Sequence, residues 1–243
     1  MNSTEILNLK NQDVTENGTY KHTLQPIVTG TSVLGLKYKD GIMLAADCIA
    51  SYGSLARFRN VQRLHPVGKA TILAGSGDMS DFQHVQNLLE GVMLQEHCFD
   101  DEQEIGTKSI YKILSNVMYS RRTKVDPLWN KFIVAGIENG ESFLGYVDLY
   151  GTTYQSPVIA TGFGSHIAIP ILRKYAEPRA SDLTEAEASE ILDNCMRVLY
   201  YRDARSFNKI QKAKVTSAGI EITEPYSLST NWDFAESIRG YGA

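Results

Sequence analysis

A chain of 243 residues that is 43% hydrophobic and 21% charged has the composition of a globular protein, long enough to bury a sizeable core within one large domain. Its 24 Lys and Arg stand against 28 Asp and Glu, a formal net charge of −4, so neither a basic surplus nor a block of like charge argues for nucleic acid as a partner. The apolar runs fall far short of the ~20 residues that a membrane span needs.

Residues 1–22 are polar, without sustained periodicity, and lack the cationic start and apolar middle of a secretory signal. They read as a leader or loose arm outside the core. Residues 23–30 are extended by composition, because Pro26 pushes Gln25 out of the helical region. From Gly30 to Asp47 the pattern is strand, turn, strand. Residues 33–38 suit the first strand, Lys39-Asp40-Gly41 the turn, and the apolar run 42–46 a strand buried on both faces. Asp-Gly between two such runs signals a hairpin, because Gly tolerates the positive φ of primed turns. Residues 51–60 read as a loop around Gly53, 61–67 as a short strand, and 70–75 as a buried strand after a Gly68-Lys69 turn. Asp78 or Ser80 then caps a helix, with Phe82, Val85, Leu88, Leu89 and Val92 at helical spacing. Thr107 opens a second helix, with Ile110, Tyr111, Leu114, Val117 and Met118 on one face.

The order then repeats. Residues 132–137 and 142–149 flank Asn139-Gly140, a favoured hairpin dipeptide, and 152–159 is a further strand. A helix spans 165–175, with Pro170 near its first turns. Thr184-x-x-Glu187 is a capping box, in which each side chain satisfies a backbone N–H at the helix start. The stripe Ala188, Ile191, Leu192, Cys195, Val198 and Leu199 follows it. Residues 208–215 and 220–223 flank Ala218-Gly219 as a last hairpin. Strands, two helices, strands, two helices, strands: this order predicts an α+β fold. It is a four-layer α-β-β-α sandwich of two antiparallel sheets packed face to face, each covered by a helix pair. One domain spans 23–230. The segment 231–243 carries Trp232, Phe234, Ile238 and Tyr241 without an evident core partner and reads as an interaction tail.

Cys48, Cys98 and Cys195 are odd in number, widely spaced and in no C-x-x-C arrangement, which argues against a disulfide framework and for a reducing compartment. His22, His65, His84, His97 and His166 show no metal-ligand spacing, so no metal or cofactor is expected. The chemistry-bearing candidates each have a plainer reading. Thr31, at the head of the first hairpin, is a nucleophile or an ordinary strand residue. Asp47 at a strand end suits a turn or ion pair. Asp203 between Arg202 and Arg205 suits an ion-paired structural group. Gly77 before Asp78 suits a strand-to-helix turn, and Arg57, Arg59 and Arg63 a solvated or subunit-facing patch.

Four pieces carry a resemblance: Gly-Thr-Ser-Val-Leu-Gly-Leu-Lys-Tyr-x-x-Gly-Ile-Met-Leu-Ala-Ala-Asp at 30–47, Ser-Gly-Asp at 76–78, Ala-Thr-Gly-Phe-Gly at 160–164 and Tyr-Tyr-Arg-Asp-Ala-Arg-Ser at 200–206. Together they resemble a β subunit of the 20S proteasome, which has the N-terminal-nucleophile hydrolase fold, from residue 23 to the end of the chain. Ser-Tyr-Gly-Ser-Leu-Ala-Arg-Phe at 51–58, Met-Tyr-Ser-Arg-Arg at 118–122, Pro-Leu-Trp-Asn at 127–130 and Met-Arg-Val-Leu-Tyr-Tyr-Arg-Asp-Ala-Arg-Ser at 196–206 resemble, more narrowly, the branch at the seventh β position of the eukaryotic ring.

The resemblance implies that Thr31 takes the place of the family's nucleophile, whose own free α-amine serves as base once the bond after Gly30 is cut. Asp47, Asp203 and Ser206 match the supporting polar residues, and Gly77 the oxyanion donor. Two positions depart. Arg63 stands where active members have a lysine, and arginine, with a pKa above ~12, does not exchange its proton. Phe163 stands where they have a serine, and a phenyl ring neither donates nor accepts the hydrogen bond. The expectation is therefore a non-catalytic subunit that supports ring assembly and walls the chamber in which neighbours degrade ubiquitin-tagged and unfolded proteins. The alternative is an active threonine endopeptidase using Thr31. By resemblance an active neighbour trims the leader between His22 and Thr23. The partners are β subunits of the same and opposite ring, α-ring subunits and assembly chaperones, and the location is cytoplasm and nucleus.

Overall fold

Unbroken apolar runs need burial on both faces, and the structure, a computed structural model describing residues 25–98 and 105–233, gives two of them that environment. Strand β3 (Gly41–Asp47) is buried at every position, and β7 (Thr71–Asp78) at all but one. Each lies inside a different antiparallel sheet. The first sheet runs β10 (Thr153–Gln155), β9 (Glu141–Val147), β8 (Asn130–Glu138), β7, β1 (Val28–Gly30), β4 (Ala50–Tyr52), β5 (Leu55–Phe58), with β6 (Leu64–Val67) paired to β7 beside β1. The second runs β11 (Val158–Ala160), β2 (Val33–Tyr38), β3, β12 (Lys209–Thr216), β13 (Gly219–Ile222), with β14 (Tyr226–Ser227) also on β12.

Strand side chains alternate, and the two faces of each sheet fill different layers. Val33, Ile42, Leu44, Ile72, Ile133, Leu144 and Val215 pack between the sheets. Leu73 and Phe132 point outward under helices α1 (Met79–His97) and α2 (Thr107–Thr123), against Phe82, Val85, Leu89, Ile110, Leu114 and Met118. Leu34, Leu36 and Met43 do the same under α3 (Gly164–Tyr175) and α4 (Glu185–Arg202), against Leu172, Leu192, Cys195 and Leu199. The four-layer sandwich is thus the one the sequence order predicts. Of the two candidate caps for α1, Asp78 is used: its carboxylate accepts from the N–H groups of Ser80 at 2.8 Å and Asp81 at 3.1 Å. The Thr184–Glu187 capping box at α4 is complete.

Three expectations are corrected. Residues 51–60 are not a loop: they hold most of the β4–β5 hairpin, turned at Gly53 (φ 57°). The strand expected over 152–159 is two strands of different sheets, broken at Ser156-Pro157, where Pro157 has no N–H for a ladder and its carbonyl instead accepts from Lys37 N–H at 2.8 Å. The first hairpin turns at Lys39-Asp40, and Gly41 is the first residue of β3, not a positive-φ turn residue. Glycine is required there for space, since a Cβ would lie 2.0 Å from the Val215 carbonyl oxygen. At Asn139 (φ 53°) and Gly140 (φ 79°) the positive-φ turn forms as expected. Among the described residues, no helix is long and apolar enough to cross a membrane.

These two glycines separate space from conformation. Gly41→Ala forces backbone apart and is expected to cost about 3 kcal/mol. Gly140→Ala, with open space around it, costs only the left-handed strain of about 1 kcal/mol. Urea unfolding of the two variants checks the order, and a larger loss at Gly140 would refute this account of Gly41.

Candidate functional site

Thr31 and Ser32 carry the chain from β1 in the first sheet to β2 in the second, so the sandwich opens at this point. Both hydroxyls are anchored to the helix layer beyond. Thr31 Oγ1 donates to Asp203 Oδ2 at 2.5 Å, and Ser32 Oγ accepts from Gly164 N–H at 2.8 Å. Asp203 follows the last residue of α4 and is buried; its other oxygen accepts from Arg205 N–H at 2.9 Å. It is therefore not the Arg202–Asp203–Arg205 ion pair that the sequence suggests. Ser206 turns away from Thr31, and its hydroxyl donates to the carbonyls of Leu199 (3.1 Å) and Asp203 (2.7 Å), closing the end of α4.

Among the described residues Arg63 is the largest fully buried side chain, and it is not part of a solvated basic patch. Its Nε donates to Asp47 O at 2.9 Å. Its Nη1 donates to Thr31 O at 2.7 Å and Gly75 O at 3.4 Å, and its Nη2 to Ser32 O at 2.9 Å and Asp47 Oδ1 at 2.7 Å. The guanidinium is thus spent on carbonyls and one carboxylate from both sheets. The stem of Arg63 fills the space beside Gly30, where a Cβ would lie 2.7 Å from Cδ. Burial outweighs the lowering pull of the Arg63 charge and the N–H groups of Ile49 and Phe207, and the Asp47 carboxyl is pushed up to about 6.

Gly77 pairs with Gly30 across β1 and β7 at φ 93°, and a Cβ there would lie 2.0 Å from Trp129 O. Both the left-handed backbone and the close approach demand glycine. Phe163 precedes α3 and is 58% exposed. The turn that carries it is tied back through Thr161 Oγ1, which accepts from Val33 N–H at 2.9 Å, and through Gly164 N–H. Phe163 therefore stands on the site's wall. Thr31, Gly77 and Phe163 line one cavity of about 520 Å³, while Asp47, Arg63, Asp203 and Ser206 lie behind the lining. Sequence reasoning missed Ser32 and Thr161, because a lone hydroxyl beside an apolar run carries no signal of its partner. Among the described residues no group of three or more His, Cys, Asp or Glu is placed to hold a metal. Trp232 packs edge-on against Tyr201 (4.8 Å between centroids) and Tyr200 (5.8 Å), and Asn231 N–H donates to Tyr201 OH at 2.7 Å. His22, Thr23, Phe234, Ile238 and Tyr241 lie outside the described residues.

In chemical terms the Thr31 hydroxyl has an acceptor, but its nitrogen is an amide in a chain that continues through Gly30, and the nearby cation is an arginine aimed at carbonyl oxygens. An amide nitrogen is not a base and a guanidinium does not shuttle protons.

Residues 27–215 match the model of the family described as proteasome subunit. The chain is 48% identical over 224 residues to the proteasome subunit beta type-4 of Xenopus laevis, covering 92% of each. It is 50% identical over 225 residues to a probable proteasome subunit beta type-7 of Schizosaccharomyces pombe, covering 91% of this chain and 86% of that one. To the proteasome subunit beta type-7 of Saccharomyces cerevisiae it is 47% identical over 232 residues, covering 91% and 86%.

Arg63→Lys keeps the charge but cannot reach four carbonyls and a carboxylate from one ammonium. It is expected to destabilise the fold by about 3 kcal/mol, the scale of breaking a buried pair. Denaturant unfolding measures this, and a Lys variant as stable as the parent would show that the fork is dispensable.

Proposed function

The chain belongs to the proteasome subunit family, and from that premise we propose that it is a non-catalytic, structural β subunit of the 20S core particle. The observation that carries the reading is Arg63. At the position where active relatives are expected to use a lysine, this side chain is committed to five acceptors of the fold, with one N–H of its fork on the Thr31 carbonyl oxygen. Active sites of this kind lose orders of magnitude when one part of the unit is missing.

The strand before Thr31 supports the same reading. β1 pairs with β7 on one edge (Thr29 with Asp78, Gly30 with Gly77) and with β4 on the other (Val28 with Tyr52, Thr29 with Ser51). Ile27 N–H adds a bond to Asp78 Oδ2 at 2.8 Å. An extended substrate binds such a slot by adding a strand, and here the chain's own residues fill it. The role is then ring assembly and walling of the chamber where neighbouring subunits degrade unfolded and ubiquitin-tagged proteins. The partners are other β subunits in the same and opposite ring, α-ring subunits and assembly chaperones, in cytoplasm and nucleus. The leader is removed by an active neighbour between His22 and Thr23, and the tail 231–243 reaches a partner subunit. One contact favours the alternative, an active endopeptidase: the short bond from Thr31 Oγ1 to Asp203.

Intact mass of the subunit within assembled particles tests the reading. A mature chain that keeps the Gly30–Thr31 bond and takes no label from an epoxyketone is expected. A chain beginning at Thr31 that is labelled would establish the enzyme instead.

A further inference from the structure

Helix α2 ends in a conformation that its residues do not favour. Val125, just past the helix end at Thr123, holds φ 55°. This is the left-handed region that glycine usually fills after a helix, and a branched Cβ makes it costly. Burial returns nothing, since Val125 is 76% exposed. The turn is held all the same. Val125 N–H donates to Arg122 O and Asp126 N–H to Arg121 O, both at 3.1 Å. Arg121 in turn donates Nε to Asp126 O at 3.0 Å, and its Nη2 meets Asp126 Oδ2 at 2.9 Å. A strained turn thus presents an apolar side chain to water, and strain of this kind is kept where function uses it.

The surroundings of Val125 are aromatic and cationic. Tyr119 is 53% exposed, with the Arg122 guanidinium over its ring at 5.7 Å. The turn that joins β9 to β10 lies against Tyr119, since a Cβ at Gly151 would be 2.8 Å from Tyr119 Cβ, and the residue before it, Tyr150, is exposed as well. Residues 107–125 carry five Lys and Arg and no Asp or Glu, in a chain whose net charge is −4. The carboxylates nearby are engaged, Asp126 by Arg121 and Asp148 by the N–H groups of Tyr150 and Thr152 at 2.9 Å each. Arg122 and Lys124 form no ion pair among the described residues. Cations at a helix end suit its dipole, which accounts for Arg121 and Arg122 but not for an exposed valine at positive φ. None of Tyr119, Arg122, Lys124, Val125 and Tyr150 lines the cavity beside Thr31.

We infer that the end of α2 is a docking knob for an acidic surface of a neighbouring subunit, which rests on the ring-subunit reading. Val125 enters an apolar socket on that partner, and carboxylates on the socket's rim face Arg122 and Lys124. Charge complementarity selects the partner: a chain with excess acid keeps this one face cationic, and a basic or neutral surface would leave Arg122 and Lys124 without a counter-charge on association. The valine is thus retained against the interest of the isolated fold.

The test sets stability against assembly in the full-length chain. Val125→Gly relieves the left-handed strain and removes the knob. It is expected to raise the urea midpoint of the free chain, yet to enter assembled particles several-fold less often than a tagged parent chain expressed beside it. Arg122→Glu with Lys124→Glu reverses the charge on exposed side chains. It is expected to lower incorporation several-fold as well, whereas Arg122→Lys with Lys124→Arg restores it. Should the double reversal unfold the chain, Val125→Gly alone decides. Three outcomes each overturn the proposal: Val125→Gly incorporated as well as the parent, Val125→Gly lowering the urea midpoint, or a folded double reversal incorporated as well as the parent. Failure of the ring-subunit reading would show separately, as a parent chain absent from the particles.

Discussion

A buried guanidinium holds this sandwich closed where its two sheets exchange the chain. Arg63 comes from the segment between β5 and β6, and its own carbonyl accepts from Gly75 N–H at 3.1 Å in β7 of the first sheet. Its fork reaches Asp47 at the end of β3 in the second sheet, and Thr31 and Ser32 between the two. Burying a cation and a carboxylate together gives little net stability, because desolvation offsets their attraction. The upward push on Asp47 expresses that cost. What the pair contributes is geometric: four carbonyls from the two sheets and the crossing between them find donors at one point. An apolar residue of equal volume would remove all of those donors.

That commitment fixes what Thr31 can do. Its carbonyl is taken by Arg63 and its hydroxyl by Asp203, while its nitrogen remains an amide in the strand-to-strand crossing. The space in front of it is flanked by β1, whose glycine at 30 is the one residue type that leaves room for the Arg63 stem. Gly30 is thus explained by packing, without reference to a cleavage that Thr31 would need.

Much of the fold was legible because its signals are local. Asp78, Thr184-x-x-Glu187 and Asn139-Gly140 each act within four residues, and the structure uses each as the sequence suggests. The misses are those where the partner is remote. The β4–β5 hairpin lies at the sheet edge with Leu55 and Phe58 largely exposed, so no buried alternation marks it. Gly41 is glycine because of Val215 on the neighbouring strand β12, remote in sequence, and no local pattern encodes that. At the site, residue types at Thr31, Asp47, Arg63 and Asp203 could be matched to a family. The direction of each side chain could not: Arg63 donates to four carbonyls and the Asp47 carboxylate, and Ser206 caps a helix.

The two hydroxyls at the crossing also follow from helix electrostatics. The start of α3 presents Gly164 N–H, and the positive end of the helix dipole favours an acceptor there; Ser32 Oγ is that acceptor. The end of α4 presents Asp203, a carboxylate where the dipole is negative and an anion is unfavourable. It therefore needs donors, and it takes the Thr31 hydroxyl and the Arg205 N–H. Of the two adjacent residues, one must accept and the other must donate, and a hydroxyl serves both ends of the helix pair. Thr31 thus has a structural reason to carry its hydroxyl, and loss of that hydroxyl would be felt in stability whether or not any peptide bond were cut. Threonine at this position is evidence for the crossing, and only the company of a base and a proton exchanger would make it evidence for catalysis.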